Sequence, residues 1–219
     1  MNWQKNSTFR KADMIAQHPE YIIMDIETTG LYPDKGDRII EIAAVKWAEG
    51  KIKEEFQTFV NPRRALSLEA QRINNITQVM VKDAPIADEV LPKIIEFVGG
   101  GCIVGHNIRF DLNFMSYELA LFGRKFRDET PTVDTLKMAR YLIPHFKTYR
   151  LSYLAQYFGL PMGETHRALV DVKLTADLFN RLREIAGEQN IFSASEYVKL
   201  FGVEKPKFAL QQAEQGSLF

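Results

Sequence analysis

The sequence predicts an α/β domain in which helices cover a mixed β-sheet. Three apolar runs separated by short breaks fill residues 21–60, which is typical of consecutive strands. Short apolar runs then alternate with helical periodicity over residues 86–186. Successive strands followed by alternating strands and helices are typical of a layered domain whose sheet has antiparallel and parallel parts.

The predicted strands are bounded by turn-forming residues. The first strand is followed by a break that contains Gly30, Pro33 and Gly36. The second and third strands are separated only by residues 48–50, so we expect them to form a hairpin. The five predicted strands occupy residues 21–29, 38–47, 51–60, 102–104 and 132–133.

The predicted helices follow from apolar residues at helical spacing and from the glycines after them. The first contains Ile86, Val90 and Ile94 and stops at the glycines of residues 99–101. Gly123 and Gly187 are expected to end two later helices in the same way. The six predicted helices occupy residues 86–98, 110–122, 134–142, 151–158, 168–185 and 193–201.

Composition narrows the class of protein. The 219 residues carry 28 basic and 28 acidic side chains, which argues against a uniformly positive coat for nucleic acid but permits a local basic groove. The single cysteine, Cys102, excludes an internal disulfide and therefore a disulfide-stapled secreted fold. No targeting signal or membrane-spanning run is visible, so we expect a soluble, cytoplasmic protein without membrane contact.

The chain divides into a central domain and two flanking segments. The layered unit is predicted at residues 20–186, after an N-terminal extension at residues 1–19. Residues 187–219 are predicted to form a short helix and a flexible tail, because the sequence after Pro206 is rich in Gln, Ala, Glu and Gly.

Two carboxylates at the end of the first strand are the first candidates for chemistry. Asp25 and Glu27 stand at positions i and i+2, so their side chains leave the same face of the sheet. Burial without partners would cost several kcal/mol, so they require cations or a wet cleft. Mg²⁺ and Mn²⁺ prefer such oxygen ligands. The alternative is a frayed strand end at which both acids are merely solvated.

Three further residues have ordinary explanations when each is considered alone. Asp111 and Asp171 stand near the starts of predicted helices, where the helix dipole favours an acid. His166 precedes Asp171 by five residues on a predicted loop, and most loop histidines are solvated rather than catalytic.

Together these residues form a recognisable pattern. The motifs D-x-E at 25–27, H-N-x-x-F-D at 106–111 and H-x-x-x-x-D at 166–171 resemble the DEDDh (DnaQ-like) family of 3′→5′ exonucleases. The family is named for its four acids and one histidine, and within it the chain is most similar to the proofreading (epsilon) subunit of bacterial DNA polymerase III. Further similar segments are DIETTGL at 25–31, TFVNP at 58–62, VDTLKMAR at 133–140 and LSYLAQYFGLP at 151–161.

The resemblance implies a ribonuclease H-like fold and a metal-dependent 3′→5′ DNA exonuclease that releases 5′-mononucleotides in replication proofreading or repair. Asp25, Glu27, Asp111 and Asp171 would hold two Mg²⁺ or Mn²⁺ ions, with Asp25 bridging both, and His166 would be the general base. One departure is Asn75, where relatives carry glycine; because asparagine tolerates a left-handed backbone, we expect that turn to persist.

Other residues are candidate contacts to the frayed or single-stranded 3′ end of DNA. Thr28 and Thr29 directly follow the first acids, although threonine also favours strand ends. His106 and Asn107 either contact the substrate or serve local structure. The remaining candidates, Lys147 and Arg150, lie in a stretch that interleaves basic and aromatic residues, although a solvated helix face explains such charges equally well.

Partners and alternatives complete the predictions. The sequence ends in Q-x-x-L-F, and Gln215, Leu218 and Phe219 resemble the short motif by which bacterial replication proteins bind the sliding clamp. A polymerase subunit is a further expected partner. Two alternatives stay open: an RNA-trimming 3′→5′ exoribonuclease with the same site, and a binding subunit of a replication complex whose nuclease activity is secondary.

Overall fold

A five-stranded mixed sheet forms the centre of the computed structural model, which describes residues 20–163 and 167–206. The strand order is β3-β2-β1-β4-β5. β1, β2 and β3 pair in antiparallel fashion, whereas β4 and β5 continue the sheet parallel to β1. The predicted α/β class with a mixed sheet is confirmed. The strands are β1 (Tyr21–Thr28), β2 (Ile39–Ala48), β3 (Lys51–Phe59), β4 (Cys102–Gly105) and β5 (Thr132–Asp134).

Eight α-helices are found among the described residues, and six of them match the predicted helices to within three residues at each end. The helices are α1 (Leu68–Asn74), α2 (Gln78–Lys82), α3 (Ala87–Val98), α4 (Arg109–Leu121), α5 (Thr135–Leu142), α6 (Leu151–Phe158), α7 (Ala168–Glu188) and α8 (Ala194–Phe201). A single 3₁₀ turn, Pro33–Lys35, connects β1 to β2. No helix among the described residues is long and apolar enough to span a membrane.

Two local predictions have different outcomes. Asn75 ends α1 with φ of 53°, which confirms the expected left-handed turn. Gly187 does not end α7, because the helix continues to Glu188. The left-handed residue of that turn is instead Asn190, with φ of 60°. Gly187 has a packing role, since a Cβ there would lie 3.3 Å from the Phe192 ring.

The two faces of β1 are packed against different helices. Ile22, Met24 and Ile26 belong to the apolar layer that includes α3 and α4. Tyr21 and Ile23 belong to the opposite layer, which includes α7. Since side chains alternate along a strand, the next odd positions of β1 face α7 as well.

Candidate metal centre and nucleic-acid cleft

β1 brings two carboxylates to one end of the sheet. Asp25 and Glu27 continue the row of Tyr21 and Ile23, so they stand on the face that α7 covers. The β1–β2 ladder changes register between Glu27 and Thr28. A bulge at that point ends the regular pairing beside the two acids.

The third carboxylate comes from the first turn of α7. Asp171 donates its backbone N–H to the carbonyl oxygen of Arg167 at 3.1 Å, as expected for that turn. One carboxylate oxygen from each of Asp25, Glu27 and Asp171 lies within 4.8 Å of the other two. Oxygen ligands on opposite sides of an Mg²⁺-sized ion lie roughly 4.2 Å apart, so these oxygens can share a divalent cation.

Asp111 is anchored to β1 by its own hydrogen bond. Its Oδ1 accepts the backbone N–H of Ile26 at 3.0 Å. β1 pairs with β4 only as far as Ile23 and Val104, so the amide of Ile26 lies beyond the ladder and the side chain of Asp111 satisfies it. This bond fixes the first turn of α4 beside the other acids, and Asp111 itself is 3% exposed.

Burial and mutual repulsion raise the pKa values of these acids. Burial is the largest cause for Asp25, followed by the charges of Asp111, Glu27 and Asp171, and together they raise its pKa well above the usual value. The pKa of Glu27 rises to about 8 through burial and then the charge of Asp171. The pKa of Asp111 also rises to about 8 through burial, although backbone hydrogen bonds oppose the shift. The site therefore favours protons or metal cations.

The donor set fits a hard divalent ion. Within the described parts of the chain, no lysine or arginine forms an ion pair with Asp25, Glu27 or Asp111. Buried carboxylates without a cationic side chain are stabilised by a bound cation. All the ligand atoms on offer are oxygens, which suits Mg²⁺ or Mn²⁺ better than the softer transition metals.

A cleft of about 880 Å³ opens beside Asp171. Four of the predicted nucleic-acid contacts, His106, Asn107, Lys147 and Arg150, line it. The structure therefore brings residues from separate segments of the chain to a single opening whose lining also includes Asp171.

The cleft is positively charged on one side. Arg140, Lys147 and Arg150 line it, and Asp171 is the one acid in its described lining. The guanidinium carbon of Arg140 lies 5.9 Å from the centre of the Tyr149 ring, so the aromatic ring stabilises the arginine through a cation–π contact.

His106 and Asn107 also have structural roles. His106 Nε2 donates to the carbonyl oxygen of Tyr149 at 2.7 Å, and its Nδ1 lies 3.0 Å from Thr135 Oγ1. Burial lowers the pKa of His106, so the neutral ring is favoured. Asn107 has a left-handed backbone with φ of 65°, and its N–H donates to Asp134 Oδ1 at 2.9 Å. Both residues shape the cleft wall, and their contact with DNA stays a prediction.

Thr28 and Thr29 lie at the β1 end rather than in this cleft. The Thr28 hydroxyl donates to the carbonyl oxygen of Gly30 at 2.6 Å. The Thr29 hydroxyl donates to Asp37 Oδ1 at 3.2 Å. Both side chains therefore brace the turn after β1, and their predicted contact with a nucleotide is untested.

Comparison with known proteins decides the family. The RNase T exonuclease family model, described as "Exonuclease", matches residues 22–179, which include all five strands except the first residue of β1 and contain the acid cluster. The chain belongs to the RNase T exonuclease family. This confirms the predicted resemblance at the level of the family.

The chain is similar to bacterial DNA polymerase III proteins. It is 41% identical over 177 residues to the PolC-type DNA polymerase III of Caldanaerobacter subterraneus subsp. tengcongensis, a match that covers 81% of the chain and 12% of that polymerase. It is 35% identical over 189 residues to the DNA polymerase III subunit epsilon of Aquifex aeolicus, covering 86% and 91%. The chain thus spans about one eighth of the PolC-type relatives and nearly all of the epsilon subunit.

Solved structures with a similar fold include two exonucleases. Exonuclease X in complex with 5′-overhanging duplex DNA superposes with a TM-score of 0.67 at 30% identity, covering 82% of this chain and 98% of that chain. Exonuclease I of E. coli in complex with a dA16 oligonucleotide superposes with a TM-score of 0.69 at 20% identity, covering 78% and 42%. The second likeness concerns the fold alone.

Two residues beside the acid cluster were not predicted from the sequence. Glu41 stands on β2 directly opposite Glu27 and is completely buried. Its partner is Arg167, the residue before α7, whose Nη2 lies 3.1 Å from Glu41 Oε1. An acid inside the apolar run of residues 38–47 was the available signal, because the argument applied to Asp25 and Glu27 applies to it equally.

Several predicted residues lie outside the described residues. His166, the predicted general base, belongs to the undescribed segment 164–166, directly before Arg167. The predicted clamp-binding residues Gln215, Leu218 and Phe219 lie in the undescribed segment 207–219, and the predicted extension at residues 1–19 is undescribed too.

Proposed function

We propose that the protein is a DEDDh-type 3′→5′ DNA exonuclease that acts in replication proofreading or repair and releases 5′-mononucleotides. The observation that carries the proposal is the cluster of Asp25, Glu27 and Asp171, whose oxygens lie within 4.8 Å of one another. Asp111 is anchored beside them by the Ile26 amide. Such oxygen clusters are the usual means of holding metal ions for phosphodiester cleavage.

The four acids have the role of metal ligands in this proposal. Asp25, Glu27, Asp111 and Asp171 would hold two Mg²⁺ or Mn²⁺ ions, which would supply a more acidic water and positive charge near the leaving 3′-oxygen. His166 accepts the proton of the attacking water, because a histidine with a pKa near 6.5 is largely neutral above that pH.

The positive side of the cleft binds the DNA backbone just before its 3′ end. Lys147 and Arg150 line the opening beside Asp171, so phosphates there lie close to the acids without contacting them. Reversing both charges (Lys147→Glu with Arg150→Glu) should weaken DNA binding and flatten its salt dependence, whereas turnover at saturating substrate changes little. The matched control reverses Lys93 and Lys199, which are exposed and do not line the cleft. If the salt dependence of DNA affinity has the same slope in both variants, Lys147 and Arg150 do not bind the DNA backbone.

Polarity and metal dependence test the central proposal. A 5′-labelled single-stranded DNA should yield a ladder that shortens from its 3′ end in Mg²⁺ or Mn²⁺, and none in EDTA. The rates at which a DNA duplex with a mismatched 3′ end and an RNA oligonucleotide of matched sequence are digested should be measured in parallel. Faster cleavage of the RNA would favour the exoribonuclease alternative, whereas internal cuts or cleavage in EDTA would refute the proposal.

We also propose that Gln215, Leu218 and Phe219 bind a sliding clamp. Apolar side chains at 218 and 219 offer anchors for a pocket, and the relatives named above are polymerase III proteins. Removing residues 215–219 should abolish clamp binding in a pull-down with purified clamp but preserve cleavage of short oligonucleotides. Undiminished binding after truncation would contradict the proposal.

A further inference from the structure

Glu41 is a buried acid whose carboxylate accepts four hydrogen bonds. Its Oε1 accepts hydrogen bonds from Gln57 Nε2 at 2.8 Å and from Arg167 Nη2 at 3.1 Å. Its Oε2 accepts from Arg167 Nε at 3.3 Å and from the backbone N–H of Ala168 at 3.2 Å. Both oxygens are therefore occupied, and two of the four bonds form a fork between carboxylate and guanidinium.

These bonds attach the start of α7 to β2. Arg167 is the N-cap residue of α7, and its own side chain does not cap the helix. The first amides of a helix lack intrahelical partners, and Glu41 on β2 accepts the hydrogen bond of the Ala168 amide. The negative charge of Glu41 also suits the positive end of the helix dipole.

The attachment lies one helical turn from a proposed metal ligand. Asp171 follows Arg167 by four residues, and its N–H bonds the carbonyl oxygen of Arg167. On the other side of the attachment, Glu41 pairs across the ladder with Glu27. These hydrogen bonds thus connect Glu41, which lies opposite Glu27, to the helical turn that carries Asp171.

We propose that Glu41 and Arg167 are positioning residues that hold Asp171 in register with Asp25 and Glu27 for metal binding. The inference rests on the proposed exonuclease function, and neither residue contacts metal or substrate in it. Apolar packing of Ala168 and Val172 holds α7 on the sheet but allows small sliding and rotation, whereas hydrogen bonds of fixed direction do not. Catalytic groups misplaced by about 1 Å can lose about 10²-fold in rate.

The chain contains a matched control on the same helix. Lys173 Nζ lies 2.9 Å from Glu55 Oε1, and this second ion pair also joins α7 to the sheet. Its side chains are 46% and 43% exposed, and neither residue belongs to the acid cluster. Glu55→Gln therefore removes an ion pair between α7 and the sheet without removing the proposed positioning bonds.

The experiment compares Glu41→Gln, Arg167→Lys and Glu55→Gln with wild type in the full chain. Mn²⁺ affinity is measured by calorimetry on metal-free protein, and kcat and KM are measured with a short single-stranded DNA. Circular dichroism and thermal unfolding establish that each variant is folded. The double variant Glu41→Gln with Arg167→Gln, which leaves no unpaired buried charge, replaces either single variant that does not fold.

We expect the Glu41 and Arg167 variants to lose about 10–100-fold in Mn²⁺ affinity and in kcat, the usual effect of removing a group that orients a metal ligand. KM should change little, and Glu55→Gln should match wild type in Mn²⁺ affinity, kcat and KM. A lower melting temperature with unchanged Mn²⁺ affinity would overturn the inference, because a merely structural pair has that signature. An inactive wild type would refute the proposed function, whereas an active wild type with Glu41→Gln equal to Glu55→Gln would overturn only the positioning role.

Discussion

Two groups of buried acids lie side by side at this end of the sheet, and they are stabilised in different ways. Glu41 is fully buried, and four hydrogen bonds, two of them from Arg167, compensate its charge. Glu27 and Asp111 are buried nearby and Asp25 is half-buried, none of them with an ion pair among the described residues. The pKa values of all three are raised, although the charge of Arg167 opposes the shift at Glu27. Burial alone therefore does not mark an acid as a candidate metal ligand, whereas a position among mutually repelling acids with raised pKa values does.

The largest expected effect comes from changing the uncompensated group. Asp25→Asn keeps the size of the side chain but removes one charge from the proposed metal site. Turnover of single-stranded DNA should fall by about 10³-fold or more, which is ~4 kcal/mol of lost transition-state stabilisation. The melting temperature of metal-free protein should rise at pH 8, because one repelling charge is gone. Near-normal turnover together with an unchanged melting temperature would contradict the proposal that Asp25 belongs to a metal site in which acidic charges repel one another.

Breaking the compensated group should have the opposite effect on stability. Arg167→Met leaves Glu41 buried without its cation, and removing one partner of a buried pair costs about 3–5 kcal/mol. Because the Arg167 side chain is 30% exposed, water relieves part of that cost. We expect the free energy of unfolding in urea, at pH 7 without metal, to fall by roughly 2–3 kcal/mol. A stabilised variant would mean that the pair is not compensated as its geometry indicates.

The pH dependence of stability sharpens the comparison next. In the unfolded chain these carboxylates titrate at roughly pH 4, whereas Glu27 and Asp111 in the folded protein titrate at about 8. Between these values the folded state binds more protons, so the free energy of unfolding of metal-free protein should fall as pH rises from about 4 to 8. Urea titrations at pH 5 and pH 8 measure the difference.

Metal and substitution supply the controls for that pH effect. Mg²⁺ or Mn²⁺ should restore stability more at pH 8 than at pH 5, since the ion replaces protons on the acids. Glu27→Gln should flatten the metal-free profile, because it removes one of the groups that titrate in the window. A flat wild-type profile would contradict the raised pKa values.

The two groups also differ in how far the sequence could predict them. Alternation along β1 was enough to place Asp25 and Glu27 on a common face, because two positions of one strand need no tertiary information. The contact between Glu41 and Arg167 joins residues 126 positions apart, and no spacing rule connects them. Finding it requires the register of β1 on β2 and the seat of α7 on the sheet, which only the folded chain supplies.

The helices divide in a similar way. Long apolar periodicity gave α3 and α7 to within three residues. The unpredicted helices α1 and α2 have only seven and five residues, too few for a periodic pattern. Asn74 of α1 nevertheless donates to the carbonyl oxygen of Thr28 at 2.8 Å, so a short helix without a sequence signal supports the end of β1 beside the acids.

The smallest expected effect concerns an acid that is neither buried nor uncompensated. Glu55 pairs with Lys173 of α7 in largely solvated surroundings, where an ion pair contributes about 0–1 kcal/mol. Glu55→Gln should therefore change the free energy of unfolding by less than Arg167→Met does, and 0.5 M salt should remove most of the difference from wild type, at roughly 4 Å Debye length. The Glu41–Arg167 and Glu55–Lys173 pairs both join α7 to the sheet, and they differ chiefly in burial.

Urea unfolding of Glu55→Gln and Arg167→Met at low and high salt measures the effect of that difference on stability. Equal losses that salt does not change would show that the attachment of α7, rather than the burial of charge, controls stability at this end of the sheet.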